Sequence, residues 1–318
     1  MIYIVGLLSL ITFIIFYYSG NSIAKKLDLY DDKKIPVIGG IYLLIGYILS
    51  YILNESNLEN NLFFIEPLFL LPIFLIALID DKFDLNPYFR LIIIVIISSV
   101  FISSENFYIQ TLNFKYFGFF NIPDNKFINI LLPIFCILVF INAFNFTDGI
   151  NGLASLLGLS WFIYLGLKFN FLIESYYIFF IFLLFFLVLN FTNKLYLGDS
   201  GNYIISLIIG FLLIVLNKTF VFSLYIEEIL LMLLIPGLDL IRLFFIRIKK
   251  KRNPLKGDKN HLHHYLVKRV GLVKSLIIYL LLVNIPIYVF LINEDLLIFL
   301  LFFSSLTYFF IINKLNRK

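Results

Sequence analysis

The sequence predicts an all-α protein: a polytopic membrane helix bundle of about eleven transmembrane helices (ten is the other count), N-terminus outside, C-terminus inside. Three observations predict it: an apolar composition, repeated runs long enough to cross a bilayer, and a one-sided distribution of Lys and Arg. Of 318 residues, 61% are hydrophobic and 14% charged, with 39 Phe and 20 Tyr, and the mean hydropathy is +0.99. Soluble domains carry roughly 45–50% apolar residues and about 25% charged ones. The difference excludes a soluble enzyme, a disordered chain and a disulfide scaffold. The single Cys136 lies in an apolar run and has no second cysteine to pair with.

A membrane-crossing helix needs about 20 mostly apolar residues. Such segments fall at 2–18, 37–53, 62–79, 88–104, 127–143, 153–168, 172–191, 201–216, 226–246, 273–292 and 295–313. No basic residue precedes Lys25 and no small-residue cleavage site follows the first segment, so it reads as a retained span. The run Ile178–Leu189 is apolar without alternation, which excludes an outer-membrane barrel. Pro236 is expected to kink the ninth segment.

Lys and Arg stay on the cytoplasmic side of a membrane. With the N-terminus outside, 21 of the 25 basic residues fall in inner loops or the tail, and only Lys115, Lys126, Lys168 and Lys218 outside. Ten acids go to each side, giving +11 inside and −6 outside. All eight Glu fall outside, whereas the ten inner acids are all Asp. Residues 1–318 then form one integral membrane domain. Its site is expected from cytoplasmic loops 19–36, 80–90, 142–152, 192–200 and 247–272.

Four polar clusters interrupt the apolar chain, each at an inner helix end. Asp80 and Asp81 are adjacent carboxylates whose repulsion favours a bound cation or a raised pKa. Taken alone, such a pair is more often an ordinary charged loop. Asn142, Asn145, Asp148, Gly149, Asn151 and Gly152 combine amides, a carboxylate and two glycine turns, a set suited to a nucleotide or hydrated Mg²⁺; the plainer reading is a polar cap and turn. Leu197-Gly198-Asp199-Ser200-Gly201-Asn202 opens the eighth span, where free N–H groups attract phosphate and Asp199 serves either as a cap or as a metal ligand. The basic stretch from Lys249 holds Arg252, Asp258 and the three histidines, His261, His263 and His264. Positive-inside charge or anionic-lipid contact accounts for such a stretch equally well, and without Cys a structural zinc is not expected. Imidazoles among so many cations suit an anionic partner such as a diphosphate. Lys33, Lys34, Pro36, Gly39, Gly40, Arg90, Asp239 and Arg242 lie nearby, where helix-end or snorkelling roles are the plain alternative.

In order, Pro-x-x-Gly-Gly, the Asp-Asp pair, Asn-x-x-Asn-x-x-Asp-Gly-x-x-Gly-Leu-Ala, Gly-Asp-Ser-Gly and His-x-His-His resemble the polyprenyl-phosphate N-acetylhexosamine-1-phosphate transferases over about residues 20–270. That superfamily is glycosyltransferase family 4. It includes the enzymes that initiate O-antigen and teichoic acid, and phospho-N-acetylmuramoyl-pentapeptide transferase. The resemblance implies transfer of a sugar 1-phosphate from a UDP-HexNAc donor, UDP-N-acetylglucosamine among them, to undecaprenyl (polyprenyl) phosphate, with release of UMP, at the inner (plasma) membrane and its cytoplasmic face. It further implies Mg²⁺, with Mn²⁺ as the other ion. By the same resemblance Asp199 and Asn145 hold the metal, Asp80 and Asp81 activate or position the lipid phosphate, and Arg90 stands near it. Lys34, Asn142 and Asp148 fall with the substrate-binding set, Gly149 and Asn151 lie near the uridine, and Arg252, His261, His263 and His264 meet the diphosphate or sugar.

The chain departs from the pattern in three places: Asn151 and Asn202 replace Asp and Ser or Ala, and Thr192-Asn193 replace Pro-Ala. His-x-His-His with Asp258 upstream resembles the O-antigen and teichoic-acid branch, of the kind that feeds lipopolysaccharide and cell-wall biogenesis. Membrane lipids are the expected surroundings, nucleic acid is not an expected partner, and a homodimer is left open. The alternatives are a transporter or flippase of polyprenyl-linked sugars, a CDP-linked alcohol phosphotransferase (whose Asp-Gly-x-x-Ala-Arg motif is missing), and an inactive member that binds lipid without turnover.

Overall fold

The structure is a computed structural model that describes residues 2–54, 64–218, 224–253 and 258–316. The start of the expected third span (62–63), part of the basic loop (254–257), and Arg317 and Lys318 of the charge count lie outside the described residues.

Twelve α-helices are described: α1 (Ile2–Leu27), α2 (Gly39–Asn54), α3 (Pro67–Phe83), α4 (Pro87–Ser104), α5 (Lys126–Asn145), α6 (Leu153–Lys168), α7 (Asn170–Phe191), α8 (Gly198–Lys218), α9 (Ile226–Lys249), α10 (Leu262–Val270), α11 (Leu272–Ile292) and α12 (Leu297–Asn316). Each of the eleven expected segments falls on its own helix, so the protein is an all-α polytopic membrane bundle. Eight of these helices are long and apolar enough to cross a membrane by themselves. The others, α2, α3 and α6, have 16, 17 and 16 residues. At 1.5 Å per residue they reach about 25 Å, short of a hydrocarbon core of about 30 Å. The bundle supplies what their length does not: all three pack against α8 or α7 rather than facing lipid alone.

Local chemistry sets the helix ends. Pro67 and Pro87 open α3 and α4, where a missing N–H costs nothing, and Asn86 caps Tyr88 N. Asp84 stops α3 in the left-handed conformation (φ 48°). Helix α9 runs as one continuous helix through Pro236.

Helix α8 is the axis of the fold. Its apolar stretch is 89% buried, against 22% for that of α4, and it packs on α2, α3, α5 and α6. Gly39 and Gly40 make the α2 contact close: a Cβ on Gly40 would sit 2.3 Å from Ser200 Oγ and 2.6 Å from Gly201 N, and one on Gly39 would sit 2.6 Å from Tyr196 O. The Pro-x-x-Gly-Gly motif therefore seats the start of α8, and of its five residues only Val37 lines a polar cavity, the smaller one.

Two elements were not expected from the sequence. A small antiparallel hairpin, β1 (Thr111–Phe114) and β2 (Gly118–Asn121), sits between α4 and α5 with Phe117 and Phe120 exposed. At the same end Glu228, fully buried, accepts from Lys168 Nζ at 2.6 Å and from Tyr164, so one of the four lysines expected outside is consumed in a buried pair. At the opposite end α10, a nine-residue amphipathic helix, carries the histidines.

Candidate active site

The last turn of α3 delivers Asp80 and Asp81, and the short turn at 84–86, with Pro87 opening α4, turns Arg90 back toward them. Asp80 accepts from Leu85 N at 2.7 Å and from Arg90; the same Arg90 nitrogen donates to Asp199 Oδ2 at 2.8 Å. One guanidinium thus ties the end of α3 to the start of α8 in a half-buried setting, where ionic hydrogen bonds are strong.

Asp81 does different work. Its two oxygens accept from Asp199 N at 2.6 Å and Ser200 N at 3.1 Å. The N-terminal N–H groups of α8, expected to attract phosphate, are occupied by this carboxylate. Asp199 is not a cap: its own N–H is the group being capped and its side chain faces Arg90.

The loop after α5 brings Asn145, Phe146, Asp148 and Gly149 to the same place. Asn145 Oδ1 accepts from Asn202 Nδ2, leaving one lone pair. Burial raises the Asp148 carboxyl well above the usual carboxylate range, and the nearby Asp199 and Asp81 charges raise it further. From the other side α10 supplies His263 and His264, with His261 at its N-cap. The His263 ring lies against Gly149 so closely that a Cβ on Gly149 would be 2.0 Å from His263 Nε2. Burial, then the His264 and His261 imidazoles, lowers His263 to about 3, so it is neutral at ordinary pH; burial lowers His264 as well. A cationic His263 attracting a diphosphate is therefore replaced by a neutral imidazole, and its buried Nε2 has no hydrogen-bond partner.

All these groups line one cavity of about 590 Å³, among them Asp80, Asp81, Arg90, Asn145, Asp148, Gly149, Asp199 and the three histidines. A second cavity of about 310 Å³ shares Asp148, Gly149 and Gly198 with it and adds Lys33, Asn151 and Asn190. Asn151 donates to Asn193 Oδ1 at 2.9 Å, and the Oδ1 of Asn190 is buried without a partner.

Residues 64–217 match the family model described as "Glycosyl transferase family 4". Residues 64–217 thus carry a glycosyl transferase family 4 domain. The chain is 28% identical over 267 residues to the undecaprenyl-phosphate alpha-N-acetylglucosaminyl 1-phosphate transferase of Thermotoga maritima, covering 80% of this chain and 78% of that protein. The proteins of the same name from Escherichia coli K12 and Salmonella typhi are each 25% identical, covering 81% of this chain and 74% of theirs. The matched family region holds Asp80, Asp81, Asp148 and Asp199 and ends before the histidines.

Four residues singled out in the sequence lie elsewhere. Lys34 is exposed with φ 60°, and Arg252 is exposed past the end of α9. Asn142 donates to Leu138 O within its own helix; none of these three lines either cavity. Asn151 lines only the smaller one. Three participants were missed. Phe146 stacks on His261 at 5.0 Å, Arg247 sits 5.3 Å over Phe146 while its Nε donates to Asp258 at 3.0 Å, and Tyr308 reaches in from α12. The first two lie beside quoted motifs; a lone Tyr in an apolar helix carries no signal.

The donor chemistry fits a hard divalent cation. Carboxylates from α3, the α5–α6 loop and α8, with an amide oxygen from Asn145, line one cavity, and no sulfur donor does. Among the described residues no group of three or more His, Cys, Asp and Glu forms a ready-made metal cage. Mg²⁺ needs none, because it keeps several waters and takes one or two carboxylates.

Proposed function

We propose that this protein transfers an N-acetylhexosamine 1-phosphate from a UDP-sugar to undecaprenyl phosphate. The reaction takes place at the cytoplasmic face of the plasma membrane, begins a lipid-linked envelope polysaccharide and requires Mg²⁺. The observation that carries this reading is the 590 Å³ cavity at one end of an apolar bundle, where six aspartates, Asp80, Asp81, Asp84, Asp148, Asp199 and Asp258, meet one arginine and three histidines. A lipid headgroup at the membrane surface and a cytosolic nucleotide both reach such a place. The names borne by the relatives specify the same donor group and acceptor. N-out, C-in topology, argued from the Lys and Arg count, puts the cavity on the cytoplasmic side.

The balance of the reaction is simple. An oxygen of the lipid phosphate bonds to the sugar-bearing phosphorus, the bond from that phosphorus to the bridging oxygen breaks, and UMP leaves with the electron pair. Both reactants are anions, so the site must cancel their repulsion and hold them in line. Asp199 and Asn145 would hold Mg²⁺, with Asp148 adjacent; when bound, the ion supplies charge neutralisation at the diphosphate.

Arg90 meets the lipid phosphate while fixing Asp80 and Asp199 relative to each other. Asp80 is the carboxylate at the lipid phosphate. Asp81, committed to two backbone N–H groups, is a positioning residue that sets the direction of Asp199. Gly149 and Asn151 line the way into the smaller cavity, which takes the uridine. The histidines of α10 close the diphosphate side, His263 as a neutral group.

The test is purified protein with undecaprenyl phosphate, Mg²⁺ and a panel of UDP-HexNAc donors, following UMP and lipid-diphosphate sugar. One donor giving both products is expected; no product from any donor overturns the reading. Chelation by EDTA is expected to stop turnover and added Mg²⁺ to restore it, and EDTA-resistant turnover would refute the metal.

A further inference from the structure

The inner half of α9 carries a buried carboxylate that the reaction above does not use. Asp239 is 4% exposed and is met by hydrogen-bonding groups from two other segments, α12 and the start of α10. Tyr308 of α12 donates to Oδ1 at 2.8 Å, and the backbone N–H of Leu262, the first residue of α10, lies 3.3 and 3.2 Å from the two oxygens. His261 Nδ1 is 2.9 Å from Oδ2. Arg242, one turn along α9, donates to Asp239 Oδ1 at 2.8 Å, to Tyr308 at 2.8 Å and to Asn260 O at 2.7 Å.

An ionised carboxylate only accepts, so the nitrogen facing it must be the one bearing hydrogen. With Arg242, Tyr308 and Leu262 also donating to Asp239, His261 is left with Nδ1–H toward α9, and Nε2 is the ring nitrogen left for the cavity that His261 lines. The ring plane is fixed as well. Phe146 stacks at 5.0 Å with planes 30° apart, and His263 at 5.4 Å with planes 7° apart. Buried orienting partners of this sort set which imidazole nitrogen does the work.

We infer that Asp239, held by Tyr308 and Arg242, is a positioning residue for this site, orienting His261 so that its Nε2 meets the anionic diphosphate of the nucleotide-sugar. The inference rests on the proposed transferase reading. Asp239, His261 and Tyr308 all lie beyond the matched family region, so this half of the site is assembled by the C-terminal helices, α12 included. Asp239 also caps α10, and a purely architectural role is what the experiment must separate.

Three histidines in the whole chain make that separation practical. In protein labelled with ¹⁵N-histidine, assigned with His261→Ala, the His261 ring is expected to show hydrogen on Nδ1 in the wild type and to change in Asp239→Asn. An unchanged His261 pattern in Asp239→Asn overturns the inference whatever the activity. In turnover, Asp239→Asn is expected to lower kcat about 10–100-fold, with KM for the donor moving less than about threefold. In a His261→Ala background it should add less than about twofold, because the two act as one unit. The same factor in both backgrounds would mean architecture only, and would overturn it. Tyr308→Phe, which keeps the carboxylate, runs the same cycle if Asp239→Asn does not fold. A correct His261 pattern in a wild type that turns over no donor would refute the transferase reading and leave the orientation standing.

Discussion

Replacing Gly149 by Ala adds a single methyl group, and the geometry states what it meets. The new Cβ would lie 2.0 Å from His263 Nε2, 2.9 Å from His263 Cδ2 and 2.9 Å from His264 Cε1. Ordinary contact begins near 3.4 Å, so the imidazole must retreat by about 1.4 Å. That retreat is crowded on the protein side: His263 is 1% exposed, with the His264, His261 and Tyr279 rings centred 4.3, 5.4 and 6.3 Å away, and a shift toward the cavity would intrude on the substrate space. Overpacking of this kind costs about 1–3 kcal/mol, and a 1 Å displacement of a substrate-positioning group costs about 10²-fold in rate. We expect Gly149→Ala to lose about 100-fold in UMP release with Mg²⁺, undecaprenyl phosphate and the active donor, and to unfold at lower temperature. Adding His263→Ala removes the obstacle, so the double variant should be more heat-stable than Gly149→Ala alone while staying inactive. Activity within threefold of wild type, or a double variant less stable than Gly149→Ala, would refute the steric argument.

Arg90→Ala leaves the carboxylates of Asp80 and Asp199 facing each other without their shared cation; we expect loss of turnover and about 3 kcal/mol of stability. In thermal unfolding Mg²⁺ should then stabilise the variant more than the wild type, and equal shifts would count against charge repulsion as the cause. For Asp148 the sign is fixed by its raised pKa: the fold favours the protonated form, so its contribution is present at low pH and is lost as pH rises through the folded pKa. Asp148→Asn should therefore raise the unfolding temperature of the metal-free protein at neutral pH and flatten its pH dependence, at the expense of turnover; a lower unfolding temperature would contradict this.

Much of the site is legible in the sequence because a membrane interior makes polar residues costly. Asp80, Asp81, Asn145, Asp148, Asp199 and the histidines stand out from apolar surroundings, and all of them line one cavity. Lys34, Asn142 and Arg252 stand out for the same reason and lie elsewhere, since a polar residue at a helix end is equally content in water. Asp239 and Arg242 were visible only as charges near a helix end. Nothing in their spacing says that one oxygen meets a histidine 22 positions later and another a tyrosine 69 positions later.

Composition and run length by themselves determined that the chain is an apolar multi-helix bundle, because crossing a bilayer constrains every backbone group within a segment. Motif order alone determined which chemistry to look for. Tertiary structure decided the division of labour between adjacent carboxylates: Asp80 goes to Arg90, while Asp81 goes to the backbone of α8. It also decided that His263 is neutral, that α10 exists as a separate helix, and that α12 reaches the site through Tyr308. These outcomes depend on which groups share a buried volume, and hydrogen-bond partners and desolvation are properties of that volume rather than of the order of residues along the chain.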